Sequence, residues 1–146
     1  MSHITKIKTV IHEDDLDAMA QGAVRLGGQL VRDVDRYKWY GRWMRDSPLP
    51  EGVPEEDLGK CAHVIRFPRA SYEVGLVRQA DGTYTVQYDD WRQGGLAPIV
   101  GEGAAKLLQA FGVETSIAHA HKLGHRLLKE EKLPNGRIKL QFAGRF

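Results

Sequence analysis

Residues Glu73–Tyr88 have the sequence EVGLVRQADGTYTVQY, and this stretch gives the clearest indication of the fold. β-Branched and aromatic residues are concentrated in both arms, as is typical of strands. Asp81-Gly82 lies between the arms, and this dipeptide readily adopts the positive φ angles of a tight hairpin turn. The stretch therefore predicts two antiparallel strands, Glu73–Arg78 and Tyr84–Tyr88, joined by a turn.

The strongest hairpin signal lies further along the chain at Asn135-Gly136. It joins two segments, His125–Glu131 and Arg137–Phe142, that we predict as a second pair of strands. Elsewhere, the content of β-branched, aromatic and other apolar residues predicts extended segments at three places. These segments are His3–Ile11, Gln29–Trp43 and Cys61–Phe67.

Two regions carry the apolar spacing of helices. Leu16–Leu26 forms an apolar stripe. The acidic residues Glu13–Asp15 precede it and suit a helix N-terminus, and Gly27-Gly28 ends it. Leu96–Leu123 is predicted to be helical in two parts, with an interruption at Gly112.

The order of elements is strand, helix, strand, strand, hairpin, helix and hairpin. Because strands follow one another in adjacent runs, we expect an α+β fold. Its sheet should be mostly antiparallel, with two main helices packed on one face. Residues 1–146 are predicted to form a single domain. Three prolines in residues 46–59 predict a surface loop.

Composition excludes several classes of protein. The chain has 146 residues, 42% hydrophobic and 27% charged, with a net charge of +2. These values are typical of a folded domain rather than a disordered one. The single cysteine, Cys61, allows no internal disulfide and no cysteine-rich zinc site. We see no secretory signal and no apolar stretch that could span a bilayer, so we expect a cytoplasmic location.

Short motifs spread over most of the chain resemble a family of uncharacterised proteins. The residues that carry the resemblance are Met1-Ser2-His3, Ile7-Lys8-Thr9, Tyr40-Gly41, Ala62 with Val64-Ile65-Arg66, Gly75-Leu76 with Arg78, Asp81-Gly82-Thr83-Tyr84, Asp89-Asp90-Trp91, Leu108-Gln109-Ala110-Phe111, the Ala-rich helix to Gly124, Glu130-Glu131, and Asn135-Gly136-Arg137-Ile138-Lys139-Leu140. The family is the hypothetical chloroplast open reading frame thirty-five, also the bacterial and phage domain of unknown function twelve fifty-seven.

The resemblance implies a compact α+β protein of plastid, cyanobacterial, bacterial or phage origin. A phage protein of this kind would act in the host cytoplasm, and a plastid one in the stroma. The family has no established catalytic residues to transfer to this chain. This sequence departs from the family pattern in its longer Pro-rich stretch at 46–59, in Phe111 where tyrosine is expected, and in Asn135 where aspartate is expected.

The tract Arg32–Arg45 interleaves five basic residues with four aromatic ones. Surfaces of this composition bind single-stranded nucleic acid, because cations follow the phosphates and rings stack on the bases. An ordinary amphipathic strand explains the same pattern, with Tyr37 and Trp39 in the core. In that alternative Trp43 is a further candidate for the core. Under the binding interpretation, the candidate residues for binding nucleic acid or a partner are Arg36, Lys38, Tyr40, Arg42, Trp43 and Arg45.

Other clusters of polar residues do not predict a catalytic or metal site. His119 and His121 are two residues apart, so on a helix they point in different directions. His125 follows Gly124, where the helix is expected to end. Asp89 and Asp90 are neighbours on a strand and face opposite sides of the sheet. We therefore expect no catalytic residues, no metal and no cofactor.

Three classes of function stay open. We favour a non-enzymatic accessory or binding protein that acts through a macromolecular partner, most simply a protein. The second class is a protein that binds single-stranded nucleic acid through residues 32–45, and exposure of Tyr40 and Trp43 distinguishes it. The third is a hydrolase or metal-binding enzyme in which His119, His121 or Asp90 converge. Homo-oligomers are also open, because an edge strand of either hairpin could pair across a dimer.

Overall fold

The computed structural model describes residues 3–144, so Met1 and Ser2 of the family-like opening motif lie outside the described residues. The α+β prediction is confirmed, with helices packed against a mostly antiparallel sheet. The strands are β1 (Ile4–Ile11), β2 (Gln29–Arg32), β3 (His63–Arg66), β4 (Val74–Arg78), β5 (Tyr84–Asp89), β6 (Arg126–Lys132) and β7 (Ile138–Ala143). The α-helices are α1 (Leu16–Arg25), the single turn α2 (Ala97–Val100) and α3 (Ala105–Lys122).

Strands β1 to β5 form one antiparallel sheet in the spatial order β1-β5-β4-β3-β2. The predicted hairpin β4–β5 lies inside this sheet, with Leu76 opposite Val86 and Gly75 opposite Gln87. Its turn is closed by Asp81, whose carboxylate accepts hydrogen bonds from the backbone and the hydroxyl of Thr83 at 2.9 and 2.6 Å. The central hairpin is therefore specified by local chemistry and also contributes two of the three inner strands.

Both main helices pack on the same face of the sheet, as predicted. Their apolar side chains and those of the strands form one cluster. The fully buried members include Leu16 and Met19 of α1, Leu107 of α3, and Ile65, Leu76 and Val86 of the sheet.

Helix α3 differs from its prediction at one point. It runs without a break through Gly112, which was expected to interrupt it. The helical region is instead divided near its start, where Gly101 and Gly103 take positive φ angles of 83° and 59°. A glycine on the exposed side of a helix weakens it by only about 1 kcal/mol, so the flanking turns continue across Gly112.

The opposite face of the sheet is covered by irregular chain between β2 and β3. Tyr37 lies across Gly75, where an added Cβ would come within 2.3 Å of the tyrosine ring. Around Tyr37 a second apolar cluster forms, which includes Leu58 and Val64 together with the half-buried Trp43. The predicted Pro-rich loop at 46–59 is part of this cover, and apart from a single 3-10 turn at Glu55–Asp57 it has no helix or strand.

The predicted extended segment Gln29–Trp43 is wrong beyond its first four residues. Strand β2 ends at Arg32, and Asp33 takes a φ angle of 60°, which turns the chain out of the strand direction. Residues 33–45 then cross the sheet with one isolated bridge, between Arg36 and Lys60. Their side chains consequently do not alternate between two faces as a strand would require.

The C-terminal hairpin β6–β7 forms a separate two-stranded sheet. It is attached to the helices by Arg25 of α1, whose guanidinium donates to both carboxylate oxygens of Glu130 at 2.7 Å and to Glu114 at 2.6 Å. The side chain of Gln109 also donates to the backbone of Gly136 at 2.7 Å. Within residues 3–144, no helix has the length and apolar character needed to cross a membrane.

Substitution of Gly75 by alanine tests the packing of Tyr37 on the sheet. The added Cβ would overlap the buried tyrosine ring. Overpacking of this kind costs about 1–3 kcal/mol of unfolding free energy. Gly112→Ala is the matched control, because no atom lies within 4 Å of its added Cβ and alanine stabilises a helix by about 0.5–1 kcal/mol. Urea unfolding should show opposite signs for the two variants, and equal effects would contradict this packing.

Candidate binding surface

The backbone of Lys38 is fixed to the sheet by Glu73. The Lys38 N–H donates to the Glu73 carboxylate at 3.0 Å, and the Glu73 N–H donates to the Lys38 carbonyl at 2.9 Å. Arg66 donates to the other carboxylate oxygen at 2.5 Å. Because the Glu73 carboxylate is buried, these donors satisfy a charge that would otherwise destabilise the fold. The Lys38 side chain itself stays exposed.

Asp89 fixes the next part of the same segment. Its side chain is fully buried at the end of β5 and accepts three backbone hydrogen bonds. The donors are His3 at 3.0 Å, Trp91 at 3.1 Å and Tyr40 at 3.2 Å. One carboxylate thus joins the start of the N-terminal strand, the end of β5 and the irregular segment that crosses the sheet.

Three half-buried aromatic side chains lie around this point. The rings of Tyr40 and Trp91 meet edge to face, with their centroids 5.4 Å apart. Tyr72 covers Gly94, where an added Cβ would lie 2.1 Å from its ring. Burial raises the pKa of Tyr72, and the charge of Asp89 adds to this effect. Tyr72 therefore stays neutral and presents an aromatic face with a hydroxyl group.

Three cations within two residues of Tyr40 or Trp91 in the sequence have no acidic partner. Within residues 3–144, the side chains of Lys38, Arg42 and Arg92 form no ion pair with an aspartate or glutamate. All three are exposed. Together with the three rings they form what we call the cation–aromatic surface, which consists of Lys38, Tyr40, Arg42, Tyr72, Trp91 and Arg92.

The remaining predicted residues lie apart from this surface or at its border. Trp43 is half-buried in the second apolar cluster and donates its indole N–H to the Ser47 carbonyl at 2.9 Å. The guanidinium of Arg45 lies 5.7 Å from the Trp43 ring centroid, in a cation–π contact. Arg36 is exposed on the other side of the segment, where its backbone bridges to Lys60.

Sequence reasoning placed Lys38, Tyr40 and Arg42 on the candidate surface but missed the residues that complete it. Tyr72 and Trp91 come from outside the basic tract and meet Tyr40 only in the folded chain. A local signal did exist for Trp91, because it directly follows the two aspartates that end a predicted strand. No local signal marks Tyr72.

A second polar cluster surrounds the buried side chain of His63. The Asp33 N–H donates to His63 Nδ1 at 3.0 Å, so the ring proton resides on Nε2, which faces the Tyr84 hydroxyl at 3.3 Å. That hydroxyl donates to the Glu13 carboxylate and accepts from Arg78 at 2.7 Å. Burial lowers the pKa of His63, although the nearby carboxylates of Asp33 and Glu13 act in the opposite direction.

The residues proposed for an enzyme do not converge. His119 and His121 are exposed near the end of α3, whereas Asp90 accepts a hydrogen bond from Thr5 at 3.1 Å and lies 3.7 Å from His3. Among residues 3–144, no group of three or more histidine, cysteine, aspartate or glutamate side chains is arranged to hold a metal ion.

No family model, curated protein or solved structure matches this chain.

The His63 cluster predicts how stability depends on pH. Because the folded pKa of His63 lies below its ordinary value of about 6.5, the unfolded chain binds the proton more readily. His63 should therefore cost no stability above about pH 7 and should destabilise the fold as the pH falls below about 6.5. Urea unfolding at several pH values measures this loss.

His63→Gln should lose less stability than the parent between about pH 7.5 and pH 5.5, since this residue no longer titrates. The control is His119→Gln, which removes an exposed histidine and should leave the parent profile unchanged. If His63→Gln and the parent show the same slope, the buried neutral imidazole is not the cause.

Proposed function

We propose that this chain is a non-enzymatic protein that binds single-stranded nucleic acid through its cation–aromatic surface. The observation that carries the proposal is the half-buried pair of Tyr40 and Trp91, flanked along the chain by Lys38, Arg42 and Arg92. Bases stack on such rings whatever their sequence, and unpaired cations attract the phosphates.

Single strands suit this surface better than a duplex. The faces of the bases are available for stacking only when the strand is unpaired, so exposed rings discriminate in favour of single-stranded chains. The net charge of +2 is small, so we expect binding to depend on local cations and to weaken steeply with salt.

Charge also indicates where the strand would run. His3 lies between Asp90, 3.7 Å away, and Asp46, 3.4 Å away, so negative charge gathers at one border of the surface. Lys38 lies toward Arg66 at the other border, where both line a groove of about 470 Å³ with Tyr72. We expect the phosphates to follow this second border.

A protein partner is the alternative occupant of the same surface, and it is the class that the sequence alone favours. Exposed aromatic side chains and arginines are also common at the centres of protein interfaces. We favour nucleic acid over a protein partner because the cations adjacent to Tyr40 and Trp91 have no acidic partner. They can therefore contact phosphates while bases stack on the rings. Homo-oligomerisation and the resemblance to the plastid and phage family stay predictions.

Fluorescence anisotropy of labelled single-stranded DNA, duplex DNA and RNA tests the proposal at two salt concentrations. We expect single strands to bind more tightly than duplex, with an affinity that falls as salt rises. Trp91→Leu removes a stacking ring and should cost about 1–3 kcal/mol of binding free energy. Arg92→Ala should weaken binding and reduce the slope of log affinity against log salt by about 0.7.

Arg126→Ala is the matched control, because Arg126 is also exposed and unpaired within residues 3–144 but lies on the separate C-terminal hairpin. It should leave both affinity and salt slope close to the parent values. Absence of binding at low salt would contradict the proposal and direct attention to protein partners. Equal losses for Arg92→Ala and Arg126→Ala would place any binding elsewhere.

A further inference from the structure

A groove of about 670 Å³ lies on the loop-covered face of the sheet, away from the cation–aromatic surface. Its floor is formed by strand residues, including Val77 and Gln87, and one wall is formed by the Pro-rich loop through Gly52–Pro54. Volumes of this size are typical of sites that enclose small organic molecules. The loop wall is tied to β1 by the ion pair between Lys8 and Glu51.

The floor of the groove presents a side-chain amide with unused hydrogen-bonding capacity. Gln87 is 2% exposed, and its side-chain oxygen accepts a hydrogen bond from the Tyr37 hydroxyl at 3.4 Å. Its amide nitrogen donates to no group within residues 3–144, although the side chain lines the groove. This nitrogen is accessible from the groove and can donate a hydrogen bond to a ligand acceptor at the floor.

Lys6 adds a positive charge beside that amide. The two residues are opposite each other in the register of β1 and β5, and both line the groove. Within the described part of the chain, Lys6 forms no ion pair and donates only to the backbone carbonyl of Glu51, at 3.2 Å. An ammonium and an amide N–H side by side are suitable donors for a carboxylate.

Asp33 and Asp35 add negative charge to the lining of the groove. Neither carboxylate forms an ion pair within residues 3–144, whereas Asp57, which also lines the groove, is paired with Lys60 at 3.0 Å. The two unpaired carboxylates are suited to accept hydrogen bonds from an ammonium group.

Cys61 lines the groove as a neutral thiol. Its S–H donates to the Val34 carbonyl at 3.0 Å, and burial raises the pKa of the thiol to about 12. A neutral thiol is a poor nucleophile, so the groove contains no activated cysteine for covalent chemistry.

We propose that this groove binds a small zwitterion of the short-peptide class. The ligand carboxylate would contact Lys6 and the Gln87 amide, and the ligand ammonium would contact Asp33 and Asp35. The apolar side chains of Val53, Pro54 and Val77 line the groove as well and suit the uncharged middle of such a molecule. This site is separate from the proposed nucleic-acid surface and does not depend on it.

Calorimetric titration of the full chain with tri-alanine tests the proposal, with N-acetyl-tri-alanine amide as the matched probe that lacks both charged ends. Tri-alanine should bind, and the capped peptide should bind at least about tenfold more weakly, because it cannot form the charged hydrogen bonds at either end.

Two substitutions locate the peptide in the groove. Lys6→Met and Asp33→Asn should each weaken tri-alanine binding about tenfold or more. Asparagine tolerates the positive φ angle at position 33, so this change removes charge while the backbone is kept. The controls are Lys132→Met, exposed on the separate C-terminal hairpin and outside the groove lining, and the exposed Asp14→Asn. Both should bind tri-alanine as the parent does.

Three results would overturn the proposal. They are no heat of binding with tri-alanine, equal affinity for the free and capped peptides, or equal losses for Lys6→Met and Lys132→Met. Circular dichroism and urea unfolding of each variant separate a lost ligand contact from a lost fold.

Discussion

Two buried carboxylates fix a segment of chain that has no regular secondary structure. Glu73 and Asp89 lie at the ends of the inner strands β4 and β5, and they accept the backbone N–H groups of Lys38 and Tyr40. A buried charge must be paired or hydrogen-bonded, so each carboxylate requires the segment to stay in place. The two hydrogen bonds fix the path of the chain from Lys38 to Tyr40. Tyr37 directly precedes this part, and its ring packs on Gly75 of the sheet.

Both proposed sites depend on that constraint. The segment directs Tyr37 inward, where it bonds to Gln87 at the floor of the groove, and presents Tyr40 toward Trp91 on the surface. If the anchors were absent, Tyr40 would lose its position against Trp91. Asp33 and Asp35, which line the groove, have their own anchors, because the Asp33 N–H donates to His63 and the Asp35 carbonyl accepts from the Cys61 N–H. The anchored segment thus connects the two surfaces through Tyr37 and Tyr40.

The elements that the sequence predicts well are those with local signals. Asp81-Gly82 and the apolar stripe of α1 depend on neighbours in the chain, and both predictions are confirmed. The prediction fails for residues 33–43 because β-branched and aromatic residues suit a strand, whereas the positive φ angle of Asp33 is set by its bond to His63, 30 residues away. The contacts of Tyr40 with Asp89 and Trp91 are also remote in sequence. Local sequence patterns therefore could not predict the complete surface.

Amide hydrogen exchange of Lys38 and Tyr40 tests whether Glu73 and Asp89 hold the segment in place. If Glu73 and Asp89 anchor the segment, these two amides should exchange as slowly as those in the sheet, such as that of Val86, and only through global unfolding. The Arg42 amide, which donates no hydrogen bond within residues 3–144, should exchange rapidly. If Lys38 and Tyr40 exchange as rapidly as Arg42, the two carboxylates do not anchor the segment.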